Sequence, residues 1–263
     1  MRSAVNIPPF APPGELVALA VAAEQAGWDG AFYWDHLVWR PEFRLDVHDP
    51  WLLLGAAAAR TDRIRLGPMV TPLARRRPWV VAKQLATLDH LSRGRAVLGV
   101  GLGEPPEDDF AAFGDPADPR ERAARLDEGL AVLDGLLRGP LDHAGAGLRV
   151  RTELLPRPVQ RPRPPIWVAA VAPHRRPLAR ALRWDGIVPL GPDGMLSPAA
   201  LAGYLAGVEC PSGWEVVVAQ AAGVPADEYR DAGATWLVTG AWPEGDWLAE
   251  LRDRVLAGPP GRS

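Results

Sequence analysis

The chain has 263 residues, of which 48% are hydrophobic, and a formal net charge of -3 with a single cysteine. That length and apolar content fill one core of α/β-barrel size, read as one domain over 1–263, and the near-neutral charge without a basic stripe excludes nucleic acid and membrane as partners. Cys210 alone excludes an internal disulfide, and the longest apolar run, Trp51 to Ala59, is too short to cross a bilayer, so a cytoplasmic protein is expected.

Ala4 to Ile7 reads as a first strand ended by Pro8-Pro9, and Leu16, Leu19, Ala20 and Ala23 fall at helical spacing before Gly27 stops the helix. Gly30 to Trp34 is the second strand. Asp49-Pro50 opens a helix with an N-cap followed by proline, and this helix is apolar nearly all round to Arg60. It is expected to be buried in the barrel wall or in a subunit contact, hence a homodimer. Ile64 to Thr71 is a third strand, Pro78 starts a helix that ends in the turn Leu91-Ser92-Arg93-Gly94-Arg95, and Ala96 to Val100 is a fourth strand. Both strands are apolar at almost every position, the mark of a parallel sheet covered on both faces.

Pro119 to Arg138 is the longest helix, with Leu126, Leu130, Leu133 and Leu137 on its buried stripe. Gly139 to Pro164 is an irregular excursion with one strand-like segment, Leu148 to Thr152. Strands follow at Ile166 to Ala170, Gly186 to Leu190, Glu215 to Ala219 and Thr235 to Thr239, with helices at Pro177 to Leu182, Pro198 to Val208, Pro225 to Ala232 and Asp246 to Ala257. Eight strands alternating with eight helices predict a (β/α)8 TIM barrel.

Active sites of such barrels lie at the C-terminal strand ends, which selects Pro8 to Phe10, Trp34 to His36, Val70 to Pro72, Gly101 to Glu104, Ala170 to Arg176, Pro189 to Gly191, Gln220 and Thr239-Gly240. Several of these are small or apolar, which suits a flat aromatic ligand. The five histidines lack metal-ligand spacing, so no metal is expected, and neither a Gly-x-Ser-x-Gly elbow nor a phosphate loop is present. Asp35-His36 carries two readings: a capped turn, or a histidine that moves a proton near neutral pH. Gly99-Val100-Gly101-Leu102-Gly103 has the wrong spacing for a dinucleotide fingerprint, and Gly101 and Gly103 instead let backbone approach a ring. Glu104 reads as a loop carboxylate, with Glu107, Asp108 and Asp109 behind it. Arg75-Arg76-Arg77 reads as a solvated loop, with a lid contact to an acidic substrate as the alternative. Val171 to Arg176 reads as a phosphate site at a helix start or as a basic surface turn.

The stretch LGPMVTPLARRRPWVVAKQLATLDHLSRGRAVLGVGLG, extended by Ala23 to Gly30, Trp34-Asp35-His36, Leu155 to Gln160 and Ala232 to Leu237, closely resembles the luciferase-like flavin-dependent oxidoreductases. The resemblance implies non-covalent reduced FMN or the deazaflavin coenzyme F-420, acting on a small organic substrate by monooxygenation or hydride transfer. With FMN, a separate flavin reductase is the expected partner. It implies His36 beside the reactive edge of the ring, Glu104 as a proton donor, and a non-prolyl cis peptide at Met69-Val70 behind the ring. The cofactor would be lined by Trp34, Met69, Val70, Thr71, Gly101, Leu190 and Gly191, with its phosphate near Ala170, Val171, His174, Arg175 and Arg176. The lysines that grip sugar phosphate in deazaflavin sugar-phosphate dehydrogenases have no lysine counterpart here, since Lys83 is the only lysine. A non-catalytic flavin-binding barrel is the alternative.

Overall fold

The computed structural model describes residues 1–261. Its strands are β1 (Arg2–Ile7), β2 (Gly30–Tyr33), β3 (Arg65–Pro68), β4 (Thr71–Pro72), β5 (Leu98–Gly101), β6 (Leu141–Ala144), β7 (Arg149–Thr152), β8 (Ile166–Val171), β9 (Gly186–Leu190), β10 (Glu215–Ala219) and β11 (Trp236–Gly240). Its α-helices are α1 (Pro13–Gln25), α2 (Pro50–Ala58), α3 (Pro78–Leu91), α4 (Pro106–Asp109), α5 (Pro119–Arg138), α6 (Arg175–Ala181), α7 (Pro198–Leu205), α8 (Ala226–Asp231) and α9 (Trp247–Leu256).

Nine strands form one sheet in the order β3-β2-β1-β11-β10-β9-β8-β5-β4, and a parallel bridge from Leu66 to Ala96 joins its two ends. β3 and β4 are halves of a single stave. The first half pairs with β2 and the second with β5. The barrel therefore has the eight parallel staves that the alternation of strand and helix predicts.

Side chains alternate across each stave, so every strand feeds two cores. Ala4, Phe32, Met69, Val97, Trp167, Val188, Val217, Trp236 and Val238 pack together inside the barrel. Among them Phe32, Trp167 and Trp236 form a triad of rings with centroids 5.4, 5.5 and 6.3 Å apart. The interior is filled to this level. Val70, Ala169 and Leu190 pack on top of it and remain partly exposed, so the barrel ends in a floor and not in a pore. The larger core lies between staves and helices, where Val100, Val168 and Ala170 meet the α5 stripe of Leu126, Leu130 and Leu133. Each leucine buried there contributes about 1.5–3 kcal/mol.

The break in the third stave explains the glycines of β5. A Cβ at Gly99 would lie 2.5 Å from the Pro68 carbonyl oxygen and 3.2 Å from Val70 Cγ1, and one at Gly101 would lie 2.8 Å from Val70 Cγ2. The segment between β3 and β4 leans inward over β5, and only glycine leaves room for it.

Three expectations need correction. The excursion after α5 holds two strands, not one: β6 and β7 form an antiparallel hairpin. The charged pattern of Leu-Asp-His-Ala concealed β6, and Glu128 of α5 anchors the hairpin by accepting from the backbone N–H groups of Gly147 and Leu148. The helix after β8 starts at Arg175, two residues before Pro177, with His174 at its N-cap. Helix α2 is buried on one side only, since Leu52 is 78% exposed and Ala56 is also exposed.

The crowding at Gly99 gives a test of the fold. Gly99→Ala is expected to lose about 1–3 kcal/mol by overpacking against a backbone carbonyl that has no freedom to yield. Urea unfolding measures it, and an unchanged midpoint would contradict the packing described.

Candidate active site

The loops after β2 and β5 meet above the broken third stave through a buried set of charges. Asp35 lies two residues past the end of β2. Its Oδ2 accepts from Thr71 Oγ1 at 2.7 Å, and its Oδ1 accepts from Arg75 Nη2 at 3.1 Å and Arg76 Nη2 at 2.7 Å. Arg75 Nη2 also donates to the Asp35 carbonyl at 2.9 Å and lies 3.6 Å from Asp109 Oδ2. Asp109, at the end of the one-turn helix α4, accepts from the backbone N–H groups of Leu37 at 2.8 Å and Val38 at 3.1 Å through Oδ1. Its Oδ2 lies 3.0 Å from His36 Nδ1.

The side chains of Asp35 and Asp109 have no exposure, and that of Arg75 has 2%. Burial alone pushes the Asp109 carboxyl up. The His36 hydrogen bond, the Arg75 charge and the Val38 N–H outweigh it and hold the group below its ordinary 3.8. Burial pulls the Arg75 guanidinium down, against the attraction of Asp35 and Asp109. Two carboxylates and two guanidiniums thus balance, which is the arrangement that buried charges require.

His36 sits at the rim of this set with 16% of its side chain exposed. Its Nε2 has no hydrogen-bond partner among the described residues and is not buried, so this nitrogen meets solvent at the barrel mouth. Beside it stands an aromatic wall. Trp34 contacts His36 at 6.1 Å, Phe10 at 5.9 Å, Trp39 at 6.2 Å and Trp242 at 5.6 Å between ring centroids. Phe43 stacks on Trp39 at 5.9 Å. Trp242 is 48% exposed, so the wall shows a ring face to the outside.

The floor lies below this wall. Val70, Ala169 and Leu190 present small or aliphatic surface, and the Met69-Val70 peptide is cis, as the resemblance implies. Asn6, on β1, adds a polar atom: its Oδ1 is buried without a partner. Two hollows elsewhere are distinct from this floor. One of about 340 Å³ lies under the loop bearing Leu37, Trp39 and Leu45, and one of about 430 Å³ lies between Val17, Leu52 and Leu53.

Some expected site residues fall elsewhere. Thr71 is fully buried and donates to Asp35, so it holds the charge set together. Ala170 points outward into the helix layer, and its neighbour Ala169 faces the mouth, because the alternation on β8 runs inward at Trp167 and Ala169. Gly191 is buried, and a Cβ there would lie 1.9 Å from the Met195 carbonyl. Arg75 and Arg76 are not a solvated loop: they turn inward, and Arg77 alone of the three is exposed.

Glu104 is exposed and pairs with Arg122 at 3.4 Å, apart from the His36 set. Val171, His174, Arg175 and Arg176 are exposed around the start of α6. Arg175 Nη1 donates to the Tyr204 carbonyl at 2.8 Å, which leaves Arg176 as the guanidinium there without a protein partner among the described residues. Asp109 went unrecognised because it closes a run of acids. The signal that finds it is its neighbour Phe110, which is 1% exposed and marks the inward turn of α4.

A family model described as "Luciferase-like monooxygenase" matches residues 1–206. An F-420-dependent glucose-6-phosphate dehydrogenase of Beutenbergia cavernae is 46% identical over 131 residues, which are 48% of this chain and 38% of that protein. One from Microbacterium testaceum is 36% identical over 186 residues, 69% of this chain and 54% of that protein. The matches thus span about half, or less, of these relatives. Among solved structures, a coenzyme F-420-dependent tetrahydromethanopterin reductase from Methanopyrus kandleri superposes with a TM-score of 0.76 at 18% identity, covering 98% of each chain. An F-420-dependent secondary alcohol dehydrogenase, bound to an F-420-acetone adduct, gives 0.78 at 16% identity over 97% of each chain. At these identities the two structures establish a shared fold.

The charge set makes a stability prediction. Arg75→Met leaves two buried carboxylates facing one remaining guanidinium and is expected to cost about 3–5 kcal/mol in urea unfolding at neutral pH. A cost below about 1 kcal/mol would show that the carboxylates are not held by this charge. Acid adds a second reading. Asp109's folded value lies below its unfolded one, so its contribution is full above 3.8 and is lost as pH falls through the lower folded value. Asp109→Asn is therefore expected to flatten the acid limb of a stability-against-pH curve, and an unchanged limb would contradict the assignment.

Proposed function

The chain belongs to the luciferase-like monooxygenase family, and on that premise we propose that it is an oxidoreductase that holds coenzyme F-420, or FMN in its place, across the barrel floor and acts on a small organic substrate with His36 as the proton-handling group. The observation that carries the reading is the His36 Nε2, free at the mouth beside a floor of Val70, Ala169 and Leu190. The floor fits a planar heterocycle. Val70, Ala169 and Leu190 offer apolar contact, and the orphaned Asn6 Oδ1 offers an acceptor for a ring N–H. Arg176, with the exposed backbone around His174, is the group we assign to the phosphate of the cofactor tail.

When bound, F-420 supplies hydride chemistry, whereas reduced FMN supplies oxygen chemistry and needs a separate flavin reductase to feed it. The names of the relatives and the open, partly exposed wall at Trp242 favour hydride transfer, since an open mouth does not keep water away. In the reading proposed, His36 Nε2 exchanges the substrate proton, and Trp34, Trp39 and Trp242 orient an apolar substrate against it. The relatives named above act on glucose 6-phosphate; a substrate without phosphate suits this chain better. Its only lysine, Lys83, lies on α3 and donates to the Leu155 carbonyl. We include in the reading a homodimer formed over the exposed Leu52 face of α2, in the cytoplasm.

Titration of the purified protein with F-420 and with reduced FMN, followed by fluorescence and absorbance, tests the proposal. F-420 is expected to bind the wild type and His36→Ala alike. His36→Ala is expected to lower turnover about 10²–10⁴-fold, the contribution of a positioned acid or base. Ala169→Leu, which adds bulk to the partly exposed floor, is expected to abolish cofactor binding with the fold intact by circular dichroism. Full binding in Ala169→Leu, or unimpaired turnover in His36→Ala, would refute the site.

A further inference from the structure

His36 is held from one side only. Its Nδ1 faces Asp109 Oδ2 at 3.0 Å, and that carboxylate is itself fixed by two backbone N–H groups and by Arg75. A carboxylate is acceptor-only when ionised, so an imidazole nitrogen at hydrogen-bond distance from it must carry the proton. We propose that Asp109 is the positioning residue of the site: it locks the neutral His36 ring as the Nδ1–H tautomer and so aims the Nε2 lone pair at the barrel mouth as a base. The inference rests on the reading of His36 as the proton-handling group, and it adds the direction in which the proton moves. In the locked state His36 takes a proton from substrate at Nε2, which suits oxidation of a hydroxyl group. The hydroxyl proton would pass to Nε2 as the O–H bond breaks, and F-420, when bound in its oxidised form, would supply the acceptor for the hydride given up by the hydroxyl-bearing carbon as its C–H bond breaks and C=O forms.

Other features of the fold would not supply this control. Trp34 touches the ring edgewise and offers it no hydrogen bond, and Glu104 pairs with Arg122. Asp109 comes from the β5 loop and His36 from the β2 loop, so the tautomer depends on a contact between two different staves. The two N–H bonds from Leu37 and Val38 to Oδ1 leave Oδ2 for His36, with Arg75 next to it. Asparagine at this position keeps an oxygen for the backbone pair but turns an N–H toward Nδ1. Such a swap presents a donor where an acceptor stood and forces the opposite tautomer.

The test begins with the wild type and needs no cofactor. Protein carrying ¹⁵N-labelled histidine is examined by two-bond ¹H–¹⁵N correlation at neutral pH or slightly above, with His36 assigned by loss of its signals in His36→Gln. The expected result is Nδ1 protonated and Nε2 bare. Asp109→Asn is expected to reverse the two and, with F-420 loaded, to lower kcat about 10²-fold or more with little change in KM. A wild-type His36 with its proton on Nε2 would overturn the proposal, and so would an Asp109→Asn protein, folded by circular dichroism, that keeps the wild-type tautomer. Should the variant fail to fold, the wild-type spectrum still decides. The predicted tautomers together with unaltered turnover in Asp109→Asn would instead count against His36 as the proton-handling group, which separates the two claims.

Discussion

One guanidinium reaches two carboxylates in the interior of this protein. Arg75 Nη2 lies against both Asp35 and Asp109, and these acids belong to loops that the chain places 74 positions apart, at 35 and 109. At such depth neither acid is stable alone, because desolvation of a lone carboxylate costs several kcal/mol. The need to neutralise both fixes the β2 loop against the β5 loop. The position of His36 against Asp109 follows from that closure.

The floor is set by a different constraint, one of volume. The third stave is interrupted at Met69-Val70, and its inward lean is accommodated by Gly99 and Gly101 on the neighbouring stave. Beneath it the Phe32, Trp167 and Trp236 rings fill the barrel, so the lean cannot go deeper. A shallow apolar platform results, with a proton carrier at its rim. Volume makes the platform and charge aims the histidine; the two share the segment from Val70 to Arg76.

The staves were legible in the sequence because parallel strands covered on both faces are continuous apolar runs, and because proline and glycine punctuate them. Asp35-His36 was legible because it sits near a strand end where nothing structural requires a histidine, and the glycines of β5 because glycine inside a strand signals the close approach of another segment. The inward arginines were not. Three arginines in a row look alike in one dimension, and only the placement of Asp35 and Asp109 separates Arg75 and Arg76 from the exposed Arg77. Ala169 and Ala170 were interchangeable for a related reason: a one-residue error in register reverses which of two alanines faces the mouth. The β6 strand escaped because its alternation involves charged side chains whose anchor, Glu128, lies in another element.

A crystal structure of the protein grown with coenzyme F-420 tests the central claim most directly. The account predicts the tricyclic ring lying flat over Val70, Ala169 and Leu190, with one edge within hydrogen-bond reach of His36 Nε2. A ring bound instead in the hollow under Trp39 and Leu45, with the floor covered only by solvent, would contradict it.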